Sequence, residues 1–351
     1  MEIIEAARRL GLGLSSFVSV GNKGDISGND LLEYWEQDPQ TKVLMLYIES
    51  FGNPRRFARI ARRVSGSKPI VAVKSGRSAA GVRASASHTG ALLSASDVTV
   101  DALFRQAGVI RTDSMQELFD VGGLLCSQPL PAGTRVAVVT NAGGPGIMCA
   151  DACQAAGLDV VELPPHVRAR LARFLAPEAS LANPIDMIAT ATAESYRRTI
   201  KTLVAEDCCD AIVAIFVPPL ITRAEDVARE IRTAALDANG VAIATVFMNS
   251  EGAPPVEEGE VPVPSFGFPE DAARALGHVA GERQVPHSHP VERGYSSAIA
   301  RIVCSSGSLS RMLCRASRSD ACSRWESSSS SLTAVCVIFI CWGVRVTVSM
   351  P

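Results

Sequence analysis

Apolar positions in the first 280 or so residues follow two spacings. Some form short unbroken runs bounded by turn residues, the mark of strands covered on both faces. Others recur every three to four residues, the mark of helices with one buried side. Runs at Ser15–Val20, Val43–Ile48 and Ile70–Val73 predict strands. Asn29–Gln37, Pro54–Val64, Val98–Ala107 and Met115–Leu125 predict helices, and Phe57, Ile60, Ala61 and Val64 form the apolar side of the second. The short Val109–Arg111 separates the last two. Gly21–Asp25 is a loop, and so is the Gly/Ser/Ala-rich stretch from Ser75 to Ser96.

A linker-like segment, residues 127–133, is rich in Pro and Gly, and the pattern then restarts. Strands are expected at Val136–Thr140, Val160–Leu163, Ala211–Val217, Ala242–Met248 and Val261–Ser265. Helices are expected at Pro145–Ala156, Pro165–Phe174, Glu194–Ala205, Thr222–Leu236 and Pro269–Ala280. Repeated strand–helix alternation predicts an α/β chain with two doubly wound parallel sheets. The first domain spans 1–126 and the second 134–282. The second opens strand, Gly-rich turn, helix; the first opens on a helix at Met1, so it is expected to lack its N-terminal strand and turn.

Composition separates the end of the chain from the rest. The whole is 47% apolar and 20% charged with a net charge of −2, ordinary for a soluble globular protein and not for a nucleic-acid binder. From Arg283 to Pro351 there are 8 Arg and no Lys, abundant Ser, and five of the 10 Cys. This irregular tail has the abrupt shift in composition that a change of reading frame produces. Its apolar run Leu332–Val344 is shorter than the roughly 20 residues of a membrane span, which argues against a membrane anchor. Cys126, Cys149, Cys153, Cys208 and Cys209 sit in apolar text without zinc spacing, and the charged N-terminus does not read as a secretory signal. A reducing cytoplasm is the expected setting, and no metal site is expected.

Candidate chemistry gathers at predicted loops. His88, among small residues, is open to a nucleophilic or basic role, or else is a loop histidine bonded to a backbone carbonyl. Lys74, Arg77 and Arg83 could balance phosphate charge. Glu49 ends the Val43–Ile48 run, so it falls on the ligand-binding edge of an open sheet, where it could orient a histidine or merely be solvated. Asn141, Gly143, Gly144 and Gly146 form a strand-to-helix turn suited to an anion, though neither the dinucleotide fingerprint nor a Walker A loop is present. Asp186, in Asn183-Pro-Ile-Asp186, reads as a local cap or as reaching the same edge. His166, His278, His287 and His289 have no supporting context.

Seven blocks in order carry a resemblance: Val18-Ser-Val-Gly-Asn-Lys-Gly-Asp25, Leu46-Tyr-Ile-Glu49, Val73-Lys-Ser-Gly-Arg77, Ser87-His-Thr-Gly-Ala-Leu92, Asp101–Ile110, Thr140-Asn-Ala-Gly-Gly-Pro-Gly146 and Asn183-Pro-Ile-Asp186. The set, over residues 1–280, resembles the ADP-forming acyl-CoA synthetases (acetate–CoA ligases) and, more distantly, succinyl-CoA synthetase. The resemblance implies two flavodoxin-like, succinyl-CoA synthetase-like domains. It implies that acyl-CoA, ADP and phosphate are interconverted with carboxylic acid, CoA and ATP through a phosphohistidine at His88, oriented by Glu49. The Gly143–Gly146 turn would match one of two helix ends facing the phosphohistidine, with Lys74, Arg77 and Asp186 in support. Family substrates would be CoA, phosphate and ADP or ATP with Mg, and no cofactor is expected on this chain itself. Partners would be a CoA-binding domain and an ATP-grasp subunit or domain, in an oligomer. Without those two, the chain is expected to be incomplete and unable to complete the full reaction alone. A non-catalytic regulatory or acyl-CoA-sensing module, or an inactive fragment, is the alternative. A flavin-binding protein is a weaker one, since aromatics make up only 5% of the chain.

Overall fold

The computed structural model describes residues 2–20, 26–78, 80–81, 96–219, 222–249, 252–256, 260–282 and 334–340. In the first third, α1 (Glu2–Arg9) leads into β1 (Gly13–Ser19), α2 (Gly28–Gln37), β2 (Val43–Ile48), α3 (Pro54–Ser65) and β3 (Ile70–Lys74). After the long loop come α4 (Asp97–Ala107), β4 (Val109–Thr112) and α5 (Met115–Ser127). Local capping explains where several helices begin. Asn53 accepts the Arg56 N–H at 3.1 Å ahead of Pro54, Ser96 accepts that of Thr99 at 3.2 Å, and Ser114 that of Glu117 at 3.1 Å. Helix α4 ends where Gly108 turns left-handed at φ 65°.

The second half contains β5 (Arg135–Thr140), α6 (Gly143–Ala155), β6 (Asp159–Val160), α7 (Pro165–Leu171), β7 (Ile185–Asp186) and α8 (Ala193–Ala205). It continues through β8 (Ala211–Phe216), α9 (Ala224–Ala235), β9 (Ala242–Phe247), β10 (Ser265–Phe266) and α10 (Pro269–Glu282). Two of the expected strands shrink, for identifiable reasons. The run Val160–Leu163 pairs only at Asp159–Val160, because the Asn183 side chain takes over the Val161 carbonyl at 2.9 Å. Val261–Ser265 pairs only from Ser265, because Pro262 and Pro264 have no N–H to give a ladder.

Pairing between the strands is parallel, in two sheets. Their orders are β6-β5-β8-β9-β10 and β1-β11-β2-β3-β4, where β11 is Ala334–Ile340. The second is the 2-1-3-4-5 order of a flavodoxin-like sheet, and the first has the same layout with β11 standing where the second has β5. The tail, expected to be irregular throughout, therefore contributes a central strand to the first sheet.

One hydrophobic cluster joins the two sheets. It contains Met45 and Val71 of the first, Val136 and Val213 of the second, and Leu118, Leu276 and Val279 of α5 and α10 between them. Helix α10 packs on both α5 and α6, so closely that a Cβ at Gly277 would lie 2.7 Å from Ala156. Ser127 closes α5, and the Gln128 amide bonds to Ile243 N–H and Pro262 O, tying the connection to the second sheet. Among the described residues, no helix is long and apolar enough to cross a membrane.

Candidate functional site

In an open parallel sheet, ligands meet the carboxyl ends of the strands where the strand order reverses. For the second sheet that point lies between β5 and β8, and the chain there is drawn tight. Asn141, buried just after β5, donates its amide to Val217 O at 2.8 Å and accepts Val217 N–H at 2.9 Å. Its side chain thus clasps two strand ends and is spent on structure. Thr140 Oγ1 accepts the Ala142 N–H at 3.0 Å and fixes the turn into α6.

Helix α6 then starts at Gly143, earlier than Pro145 as expected, with Ala142 at its cap and no side-chain acceptor. Because Pro145 has no N–H, the donors of the first turn reduce to Gly143 and Gly144. Among the described residues neither finds an acceptor. The three glycines differ in what a side chain would meet. At Gly146 a Cβ would press on Thr140 Cγ2 at 3.0 Å, and at Gly143 on Asp186 Oδ2 at 3.0 Å. At Gly144 it would meet nothing within 4 Å, so the helix end is open on that side.

Asp186 makes a local turn and also lies against the α6 terminus. Its Oδ1 accepts the Ile188 N–H at 2.9 Å, holding Ile188 at φ 56°, while Oδ2 lies at the α6 terminus. Nearby Asn183 went unrecognised as a structural residue. Its amide accepts from Val138 N–H at 2.8 Å and donates to Val136 O and Val161 O at 2.8 and 2.9 Å. One polar side chain thereby bridges β5 and the chain beyond β6, which the pattern of apolar runs does not reveal.

In the first sheet the corresponding position lies between β11 and β2, and Glu49 follows β2 directly, half-buried. Register sets Ile48 beside Lys74, so Glu49 and Lys74 emerge from neighbouring strand ends. Burial pulls the Lys74 ammonium below its ordinary value, and the Glu49 carboxylate is the foremost charge opposing this, ahead of Asp97. Lys74 also donates to Ser75 O. Arg77 is held by Asp97 at 3.3 Å and by Asp113, so its charge is already matched within the protein. His88 and Arg83 lie outside the described residues, as do His287 and His289.

Two family models match the chain. The succinyl-CoA ligase-like flavodoxin domain matches residues 1–125, and the Ligase-CoA domain matches residues 136–258. The chain belongs to the ADP-forming acyl-CoA synthetase family. It is 38% identical over 270 residues to the alpha subunit of ADP-forming acetate–CoA ligase II of Pyrococcus furiosus, covering 75% of this chain and 58% of that subunit. It is 40% identical over 192 residues to the ADP-forming acetate–CoA ligase of Methanocaldococcus jannaschii, covering 55% of this chain and 27% of that protein. Among solved structures it is similar to dinucleotide-forming acetyl-coenzyme A synthetase 1 of Ca. Korarchaeum cryptofilum in complex with phosphate and ADP. The TM-score is 0.72 at 30% identity, over 82% of this chain and 62% of that one. The chain therefore spans less than two thirds of the length of each of these relatives.

A cavity of about 560 Å³ lies away from the edge that this family membership draws attention to. Its walls include Ala205, Asp237 and Asn239, which precede β8 and β9, so it opens near the amino ends of those strands. Its cations are largely matched: Arg170 with Glu206, Arg197 with Glu230 at 2.7 Å, Lys201 with Asp237 at 2.9 Å. Arg198 stacks 4.2 Å from the centre of the Phe174 ring. Among the described residues, no cluster of His, Cys, Asp and Glu could hold a metal ion.

Proposed function

We propose that this chain is the phosphoryl-relay part of an ADP-forming acyl-CoA synthetase. His88 attacks an acyl phosphate, the N–P bond forms, the acyl O–P bond breaks, and the carboxylate leaves. The phosphohistidine then passes its phosphoryl group to ADP on an ATP-grasp subunit or domain, and a CoA-binding partner supplies the acyl phosphate from acyl-CoA and phosphate. Glu49 accepts a hydrogen bond from one ring nitrogen, leaving the other free to attack. The N–H groups of Gly143 and Gly144 receive the phosphoryl oxygens, and a helix end of this kind favours an anion by about 0.3–2 kcal/mol. Lys74, at the next strand end, adds positive charge.

The observation that carries this reading is the pair of corresponding carboxyl edges, beside β2 in the first sheet and between β5 and β8 in the second. One has a carboxylate, Glu49, at its edge; the other has two N–H groups that find no acceptor among the described residues, open on the Gly144 side. The test is incubation with acetyl phosphate labelled at phosphorus. The expected result is acid-labile, base-stable label at one equivalent per chain, absent from His88→Ala. In Glu49→Gln it should appear roughly 100-fold more slowly. Label that persists in His88→Ala, or no label in the wild-type chain, overturns the proposal.

A further inference from the structure

Strand β11 is out of place in the chain and in place in the sheet. It pairs in parallel with β2 from Val335↔Val43 to Ile340↔Ile48. It pairs with β1 from Gly13↔Ala334 to Ser19↔Phe339, with one irregularity between Leu14 and Ser16. Among the described residues, β1 has no other strand partner, so β11 alone joins β1 to the rest of the sheet.

The surroundings explain what the slot between β1 and β2 demands of an occupant. Leu44, Leu46 and Ile48 of β2 belong to a cluster with Leu32 and Trp35 of α2. Val43 and Met45 belong to the opposite cluster, with Leu118 and Val121 of α5. Both helices also lie against β11. A strand there is covered on both faces and must be apolar at every position, with β-branched residues favoured. Ala334-Val-Cys-Val-Ile-Phe-Ile340 meets that demand, whereas the serine-rich text before it does not. The same central position in the second sheet is held by β5, whose sequence Arg135-Val-Ala-Val-Val-Thr140 is apolar over its middle four residues.

We propose that the slot between β1 and β2 is a strand-binding site and that residues Ala334–Ile340 are its ligand, supplied in cis by the chain's own tail. The occupant it selects is a short, continuously apolar strand entering parallel to β1 and β2. The tail's role is thus to complete the first sheet, which is separate from the His88 chemistry proposed above.

The experiment uses hydrogen–deuterium exchange on the full chain, on a chain ending at Leu332, and on Val337→Pro, which removes a ladder N–H from the middle of β11. Residues 13–19 and 43–48 should exchange at least tenfold faster in both variants. Residues 211–216 and 242–247 of the second sheet serve as the internal reference. Ser329→Pro, outside β11, should exchange like the full chain. A peptide spanning residues 332–342 should restore protection to the chain ending at Leu332. Full protection of residues 13–19 and 43–48 in Val337→Pro overturns the proposal. So does protection in the full chain that falls with dilution, which would mean that the strand comes from a second copy. Neither reading depends on phosphoryl labelling, so the failure of one proposal is distinguishable from the failure of the other.

Discussion

The two sheets share a layout but not the chain order of the strands that fill it. In the second, the central strand β5 is followed at once by the α6 turn, and its neighbours β6 and β8 come next along the chain. In the first, the central position is filled by β11, long after everything around it. The contrast extends to their carboxyl edges. In the second, Asn141, Asn183 and Thr140 spend their side chains fastening strand ends, leaving backbone N–H groups to face outward. In the first, charged side chains stand at the edge: Glu49, Lys74 and the Arg77 pair with Asp97 and Asp113. A common sheet order therefore sets where a ligand is met, and the edge residues decide whether backbone or side chains meet it.

The largest effect should come from the fastening peculiar to the second sheet. Asn183→Ala strips partners from one N–H and two C=O groups, at a cost of about 4 kcal/mol. Urea unfolding should show it as a shifted midpoint in a single transition, because one cluster spans both sheets. Two separate transitions would mean that the sheets are independent.

Next in size is Asp120→Asn, at the seam between the sheets. Asp120 on α5 is 7% exposed, and burial pushes its carboxyl up to about 7. Gln116 opposes this with a hydrogen bond at 2.9 Å, while Asp271 on α10 adds to it. The folded chain thus keeps a proton that the unfolded chain releases near 3.8. The stability this confers is complete below that value and is lost as pH rises toward 7. Asp120→Asn should therefore stabilise the protein by about 3 kcal/mol at pH 8 and by less than about 1 kcal/mol at pH 4. Thermal melts at the two pH values check this, and an equal gain at both would refute it.

The smallest change in stability, and the sharpest in function, is expected at the α6 terminus. Gly144→Ala adds a methyl group into open space, so stability should stay within about 0.5 kcal/mol. The same methyl group stands where an anion would approach. Inorganic phosphate, titrated while watching the Gly143 amide by NMR, should bind the variant at least tenfold more weakly. Unchanged binding would show that anions do not use this end of the second sheet.

Elements with a strong local cause could be read from the chain. Val43–Ile48 is a strand with those bounds, since its burial on both faces is written in consecutive apolar residues. Helix α3 buries Phe57, Ile60, Ala61 and Val64, the side its spacing indicates. The positions of Glu49 and the Gly143–Gly146 turn at the sheet edges followed from the same logic. What escaped was long-range. Asn183 looks like a turn residue because hydrogen bonds to strands more than twenty residues away leave no local pattern. Ala334–Ile340 looked foreign because its partners lie at the other end of the chain. Asn141 and Arg77 looked available for a ligand because composition does not show that Val217, Asp97 and Asp113 already engage them.

The pairing of Gly13 with Ala334 has a consequence for how the protein is made. Synthesis runs from the amino terminus, and β1 waits while about 320 further residues emerge before its neighbour exists. The second sheet is assembled from strands close together in the chain and is finished well before then. The first sheet, whose early strands emerge first, is therefore completed only after the second, and pairing β1 with β11 closes a loop of about 320 residues.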